Sequence, residues 1–532
     1  MSHSYQQETG TIARSAGTVS VAVFASRVLG LVREQVFAGL FGAGYAIDAF
    51  VVAFRIPNLL RDLFAEGALS SAFVTVFTQY DTQRGEERTW RLANNVITFI
   101  FLLVGAITLV GIAASPLLVR LMAPDFGRVA GKLALTALMT RVMFPFLLLI
   151  SLAALAMGIL NSRGKFFVPA LASSFFNLGS IVAGVALALL MPHFGIPAIV
   201  GMAWGTLIGG FLQLAVQYPL LKKVGYRPRR VLDLKDEGLH QVLKLMLPAV
   251  VGLSATQINV FINTFYAASC MEGSVSWLNY AYRLVHLPQG LFGVALSVAT
   301  LPVVSRLAAQ NNMDALKRSF ESSLSLAFLL TVPAAFGLAV LAKPIVGVIF
   351  QHGRFTGWDT EQTASALVYY SLGIFAFAGV KILVPVFYAL NNTRIPVVGS
   401  FLTVGANLLF INLTIAALQH RAIALSTSLS MIINLLFLGF MLFRFLKGFR
   451  VAYVSANLLK VTAAAAVMAA AVHWGQGLTR TWLGPGLAGQ LLALALLILG
   501  GAGLYVLLVS RLRIPEFNEL VQDLKTRLQR RR

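Results

Sequence analysis

Apolar runs of about twenty residues recur from one end of this chain to the other, and that feature leaves few folds open. Each run is long enough to cross a hydrocarbon core of ~30 Å as a helix. In lipid every backbone N–H and C=O must find a partner within the protein, so only helices or a closed barrel can span it. A barrel would need segments of ~10 residues alternating apolar with polar, and these runs are longer and uniformly apolar. Charged residues make up 12% of the 532, against ~25% in soluble domains, and the mean hydropathy is +0.79. The chain reads as an all-α polytopic membrane protein.

About fourteen spans are expected, at residues 17–40, 46–79, 92–115, 132–160, 167–190, 197–221, 240–268, 275–304, 319–342, 362–389, 396–418, 422–443, 453–474 and 486–509. With the N-terminus inside, 26 of the 42 Lys and Arg residues fall on cytoplasmic segments and 7 on the outer side. That asymmetry predicts cytoplasmic N- and C-termini. It also explains the net charge of +22 as topology signal and contact with anionic lipid, so no nucleic-acid partner is inferred. The polar start lacks the basic and apolar regions of a signal peptide, and nothing is predicted to be removed. Cys270 is the only cysteine, which excludes an intrachain disulfide and a cysteine metal cluster.

The chain is also internally repetitive. At an offset of 228, Ala53-Phe54-Arg55 aligns with Ala281-Tyr282-Arg283, and Leu63-Phe64 with Leu291-Phe292. At 230, Leu160-Asn161 and Asn177-Leu178 recur as Leu390-Asn391 and Asn407-Leu408. These matches favour a duplicated six-span unit, as in transporters whose halves rock about a midplane site. The expected organisation is an N-lobe at 1–221, a cytoplasmic linker at 222–239, a C-lobe at 240–447, two extra spans at 448–510 and a basic tail at 511–532.

Charges within the spans carry the functional signal. Arg27, Arg33 and Glu34 interrupt the first, and Asp48, Arg55, Arg61 and Glu66 the second. An ion at the bilayer centre costs at least ~2.5–3.5 kcal/mol, so such groups normally face a polar cavity that handles substrate. Guanidinium groups suit phosphate oxygens because their planar donors bind in pairs. Arg27 and Arg33 are six residues apart, about 240° around a straight helix, and face different ways unless the helix bends near Gly30. Arg33 either lines a cavity, pairs with Glu34 or Asp48, or snorkels. Asp48 is a helix N-cap or a gate pairing with an arginine. Arg61 or Glu66 is expected to end in a local ion pair, and Pro57 bends the helix between Arg55 and Arg61. In the eighth span Arg283 has no acidic residue beside it, and Pro288 and Gly290 break that helix. Arg141, Lys244, Lys381 and Lys460 are weaker candidates. No phosphate-binding loop, HExxH, GxSxG or EF-hand pattern occurs, which argues against an ATP-driven pump or a hydrolase.

The stretch SRVLGLVREQVFAGLFGAGYAIDAFVVAFRIPNLLRDLFAEGALSSAFVTVF (26–77) resembles the MurJ/MviN lipid II flippases of the MOP exporter superfamily. Residues 273–302 resemble that family's eighth span, and ALNNTRIPV (389–397) its loop after the tenth. The resemblance implies two pseudo-symmetric six-helix lobes around a central cationic cavity, with the last two spans forming a groove for a lipid tail. It implies that Arg27, Arg33, Arg61 and Arg283 engage the pyrophosphate of lipid II, an undecaprenyl-linked disaccharide–pentapeptide. Ser26 and Ser276 match cavity serines, and Asp48 and Glu66 match family acids. It further implies transport from the inner to the outer leaflet of the bacterial inner membrane, with no cofactor and with cell-wall synthesis proteins as further partners. Asn263 stands where some relatives hold sodium with an aspartate, so sodium coupling is not implied; dependence on membrane potential is expected on separate grounds, because an inside-negative potential favours expelling an anionic head. The competing readings are an exporter of another polyprenyl-linked glycan or of amphipathic drugs, and a cell-wall scaffold or polymerase. Drug cations favour an acidic cavity, and a polymerase would present paired carboxylates in an outer loop, where Asp125, Asp359 and Glu361 are isolated.

Overall fold

The computed structural model describes residues 2–62, 69–484 and 486–529. The described residues are helical almost throughout and form two compact units, Met1–Ser276 and Trp277–Arg532.

The first unit opens with α1 (Ser2–Phe41), α2 (Tyr45–Arg61), α3 (Ser70–Gln83) and α4 (Glu86–Met122). It continues through α5 (Lys132–Met143), α6 (Pro145–Ser162), α7 (Phe167–Leu190), α8 (Ile199–Ala215), the short α9 (Tyr218–Lys223) and α10 (Glu237–Ser269). Its core packs Phe73, Phe77, Val96, Leu155 and Ile159, from α3, α4 and α6, against Leu239 and Val242 of α10. Helices α7 and α8 approach closely because glycine lines their seam. A Cβ on Gly201, Gly205 or Gly209 would run into the facing backbone of α7. Without a hydrophobic driving force between helices in lipid, such small-residue contacts give association through van der Waals packing. Asp236 caps α10 by accepting from Leu239 N at 2.8 Å, and α10 bends by 44° at Pro248, where a backbone donor is lost.

The second unit takes over within α11 (Ser274–Pro288), which runs through a π-helical turn at Gln289–Val294 into α12 (Ala295–Ala309). There follow α13 (Met313–Val340), α14 (Ala342–Phe350), α15 (Gly357–Ser371), α16 (Ile374–Ala389), α17 (Arg394–Leu418) and α18 (His420–Phe445). Last come α19 (Val451–Leu483), α20 (Leu487–Arg511) and α21 (Pro515–Gln529). Phe320, Phe328, Leu383 and Phe387 form the core with Val461 and Ala465 of α19, so the last helices pack onto α13. Thr356 and Asp359 close a reciprocal capping box at the start of α15.

Among the described residues, ten helices are long and apolar enough to cross a membrane, or twelve if α10 and the α15–α16 pair, bent by 41°, each count as one span. Fourteen were expected from the sequence. The two outside this set are the first two, which carry the embedded arginines. The described parts of the second are α2, of 17 residues, and α3, of 14, and neither part alone reaches the ~20 residues of a crossing. Residues 63–68 between them, including Glu66, lie outside the described residues. Leu109, Val182, Leu436 and Leu459 stand exposed on the helix surfaces, as surfaces meeting acyl chains require.

Candidate functional site

The first unit positions its embedded charges on α1 and α2. Helix α1 runs unbroken through Gly30, so Arg27 and Arg33 take different faces: Arg27 is exposed and Arg33 buried. Among the described residues Arg27 has no carboxylate within ion-pair distance. Arg33 Nη2 instead meets Glu34 Oε1 at 2.9 Å, and its guanidinium lies 5.3 Å from the Phe176 ring centre. Of the alternatives open for Arg33, the structure gives the pair with Glu34. Ser26, one turn above Gly30, is half-buried, and its carbonyl accepts from Asn177 Nδ2 at 3.1 Å. That bond ties α1 to α7.

On α2, Arg55 is half-buried and Pro57 buried. Arg61 donates twice to Asp62 Oδ1, from Nε at 3.0 Å and Nη2 at 2.8 Å, and Gln257 Nε2 of α10 reaches the other oxygen at 3.4 Å. The local ion pair expected for Arg61 therefore forms with Asp62.

Asp48 is the most elaborated position. Gly44, at φ +132°, holds the N-cap position of α2, so Asp48 sits inside the first turn and does not cap its own helix. Its carboxylate accepts four bonds within the first unit. Lys132 Nζ (3.1 Å) and Gly273 N (2.9 Å) reach Oδ2, while Ser276 N (3.0 Å) and Ser276 Oγ (2.6 Å) reach Oδ1. Asp48 thus caps α11, satisfying backbone donors that the first turn of any helix leaves free. Ser276 stands 228 residues beyond Asp48 in the chain. Asp48 and Lys132 are each only 2% exposed, and the ammonium lies 4.4 Å from the Phe126 ring centre. An isolated buried ion would be prohibitive; here the carboxylate accepts four bonds, and the ammonium has the carboxylate and the Phe126 ring beside it. Tyr45 N donates to Glu272 at 3.1 Å alongside, closing the same corner.

Sequence reasoning missed Lys132. It opens the fourth expected span on the side where Asp48 opens the second, and that shared depth was the available signal. The gate envisaged for Asp48 paired it with an arginine; its observed partner is this lysine.

In the second unit Arg283 is exposed on α11, while Tyr282 and His286 stack edge to face at 4.3 Å and Tyr282 packs 5.4 Å from Tyr370. Pro288 ends the regular part of α11, and Gly290 lies in the π-helical turn, a distortion common at functional positions. Trp277 Nε1 donates to Asp359 Oδ1 at 2.9 Å, fixing the start of α11 within this unit. Arg141, Lys244, Lys381 and Lys460 are all exposed.

The family profile described as lipid II flippase MurJ matches residues 37–492. A probable lipid II flippase MurJ of Vibrio cholerae is 34% identical over 516 residues, 94% of this chain and 97% of its own length. The lipid II flippase MurJ of Burkholderia cenocepacia is 37% identical over 438 residues, 80% of this chain and 83% of its own. Among solved structures, a lipid II flippase MurJ in an inward closed conformation superposes with a TM-score of 0.77 at 26% identity, covering 94% of this chain and 99% of that one. An inward-facing multidrug MATE transporter of the MOP superfamily reaches 0.66 at 16% identity, covering 81% and 95%, a likeness of fold alone. The chain is therefore a multi-pass membrane transporter, not an enzyme, and belongs to the lipid II flippase MurJ family.

Proposed function

We propose that this protein carries lipid II from the cytoplasmic to the outer leaflet of the bacterial inner membrane by alternating access. The observation that carries the reading is a set of guanidinium groups placed on helices that cross or border the bilayer, in a chain of this family. Arg27, Arg33 and Arg61 of the first unit and Arg283 of the second are assigned to the pyrophosphate. A dianion leaving water needs charge-assisted donors in replacement, and arginine supplies them in pairs. Glu34 and Asp62 hold two of these arginines between visits of the substrate, and the arriving phosphate competes with them.

In this reading the chain crosses the membrane fourteen times, as two six-span lobes and two further helices, with both termini cytoplasmic. The lobes present their arginines to a single headgroup, while α19 and α20 guide the undecaprenyl chain so that only the polar head traverses the protein. Asp48 with Ser276 acts as the outer gate, and the breaks at Pro57, Pro288 and Gly290 absorb the motion. An inside-negative potential favours expulsion of an anionic head, at ~2.3 kcal/mol per charge per 100 mV. Collapsing the potential is expected to leave lipid II on the inner leaflet.

The test is complementation of a flippase-depleted bacterium with the parent chain, Arg27→Ala or Arg283→Ala. The parent rescues growth and the variants fail at equal membrane abundance. Rescue by either variant removes that arginine from the pyrophosphate role.

A further inference from the structure

The end of α9 and the segment joining it to α10 carry six exposed cations, Lys222 and Lys223 on the helix and Arg227, Arg229, Arg230 and Lys235 on the segment. Among the described residues none of the six has an acidic partner within 4 Å. The backbone beneath them is fixed. Asn94 of α4 donates to Arg227 O at 3.1 Å and accepts from Arg229 N at 2.8 Å. Its neighbour Asn95 donates to Asp233 O at 2.9 Å and accepts from Asp233 N at 2.8 Å. Both asparagines are buried, so two consecutive amides grip the loop as a neighbouring strand would. Arg91 meets Asp233 at 3.3 Å, and Trp90 packs 5.9 Å from Tyr226.

The loop also shows apolar groups to the outside. Leu232 and Leu234 are 52% and 59% exposed. The two leucines, two residues apart at the turn that leads into α10, lie between Arg230 and Lys235. A clamped loop that exposes two leucines amid cations, and whose ends run directly into membrane helices, matches the requirements of the headgroup boundary. Apolar side chains gain by entering it, and cations gain from anionic phosphates there.

We propose that residues 227–235 form a membrane-surface anchor, with Leu232 and Leu234 inserted at the headgroup–acyl boundary and Arg227, Arg229 and Arg230 bound to anionic phospholipid phosphates. The anchor lies outside the transport reading and depends only on the chain spanning the membrane. It holds the first unit at a fixed depth on its cytoplasmic side.

The test uses full-length protein with Cys270→Ala, spin-labelled at Leu232→Cys or Leu234→Cys, in bilayers of phosphatidylcholine alone or with 30% phosphatidylglycerol. Both labels are expected to be shielded from an aqueous nickel chelate and accessible to oxygen, more so with the anionic lipid. In unlabelled protein, Arg227→Gln/Arg229→Gln/Arg230→Gln is expected to lower the preference for spin-labelled phosphatidylglycerol about tenfold, since each surface cation contributes roughly fivefold before screening. Labels as open to the chelate as a solvated loop, or a preference unchanged in the triple variant, overturn the proposal. Loss of the preference on adding millimolar inorganic pyrophosphate also overturns it, assigning the cations to a soluble phosphate.

Discussion

Replacing Lys132 by Met tests whether the corner around Asp48 is an electrostatic clamp or only a packed one. Methionine keeps the length and apolar stem of lysine and removes the charge. The ammonium and the carboxylate are 3.1 Å apart, with side chains 3% and 2% exposed. Breaking a buried pair from one side costs ~3–5 kcal/mol, because a charge is left without its partner. Three donors remain on Asp48, from Gly273 N, Ser276 N and Ser276 Oγ, which places the expected loss at the low end, about 3 kcal/mol. Asp48→Asn strands the ammonium instead and is expected to cost a similar amount. The double variant removes both charges, so it should recover about 2 kcal/mol relative to the sum of the single losses. The assay is a double-mutant cycle on the four purified proteins, using denaturant unfolding in detergent followed by tryptophan fluorescence. A Lys132→Met protein within about 0.5 kcal/mol of the parent, or strict additivity in the cycle, refutes the clamp.

Gly205→Leu on α8 should separate α8 from α7, since even a Cβ there overlaps Gly184, at a cost of ~1–3 kcal/mol or more; Gly105→Ala, which meets open space, serves as the neutral control in the same melt. Trp277→Phe keeps the ring but removes the donor to Asp359, so a loss of ~1.5–3 kcal/mol is expected in chemical denaturation, and no change would show that Thr356 alone satisfies the carboxylate. Burial pushes the Cys270 thiol up to about 11. Its thiolate is then about a hundredfold scarcer at neutral pH than for a thiol at 9, and maleimide labelling should be slow at pH 7 and rise about tenfold per pH unit up to 10; fast labelling at pH 7 would contradict that environment.

The spans most legible in the sequence were those where burial in lipid dictates one answer. Runs such as 486–509 and 422–443 reappear as α20 and α18 because uniform apolarity over twenty residues admits only a helix. In the arginine-bearing second segment, 46–79, the described residues form the helices α2 and α3. Pairing was partly readable: Arg61 with Asp62 follows from adjacency, and Arg33 with Glu34 was one of several options. The partners of Asp48 were harder to read, since Lys132, Gly273 and Ser276 lie 84, 225 and 228 residues away and only Lys132 offered a signal, its depth at the start of an expected span.

By itself, then, the sequence determined that this chain must be a bundle of membrane helices, and it marked which crossings carry charges lipid would not tolerate. Those conclusions follow from one-dimensional quantities, the length and polarity of a run, which act at every position alike. Only the tertiary structure decided where each charge is compensated, which amide grips the 227–235 loop, and which helix Asp48 caps. Such contacts depend on which distant segments share a depth and a face, a property of packing that no local pattern encodes.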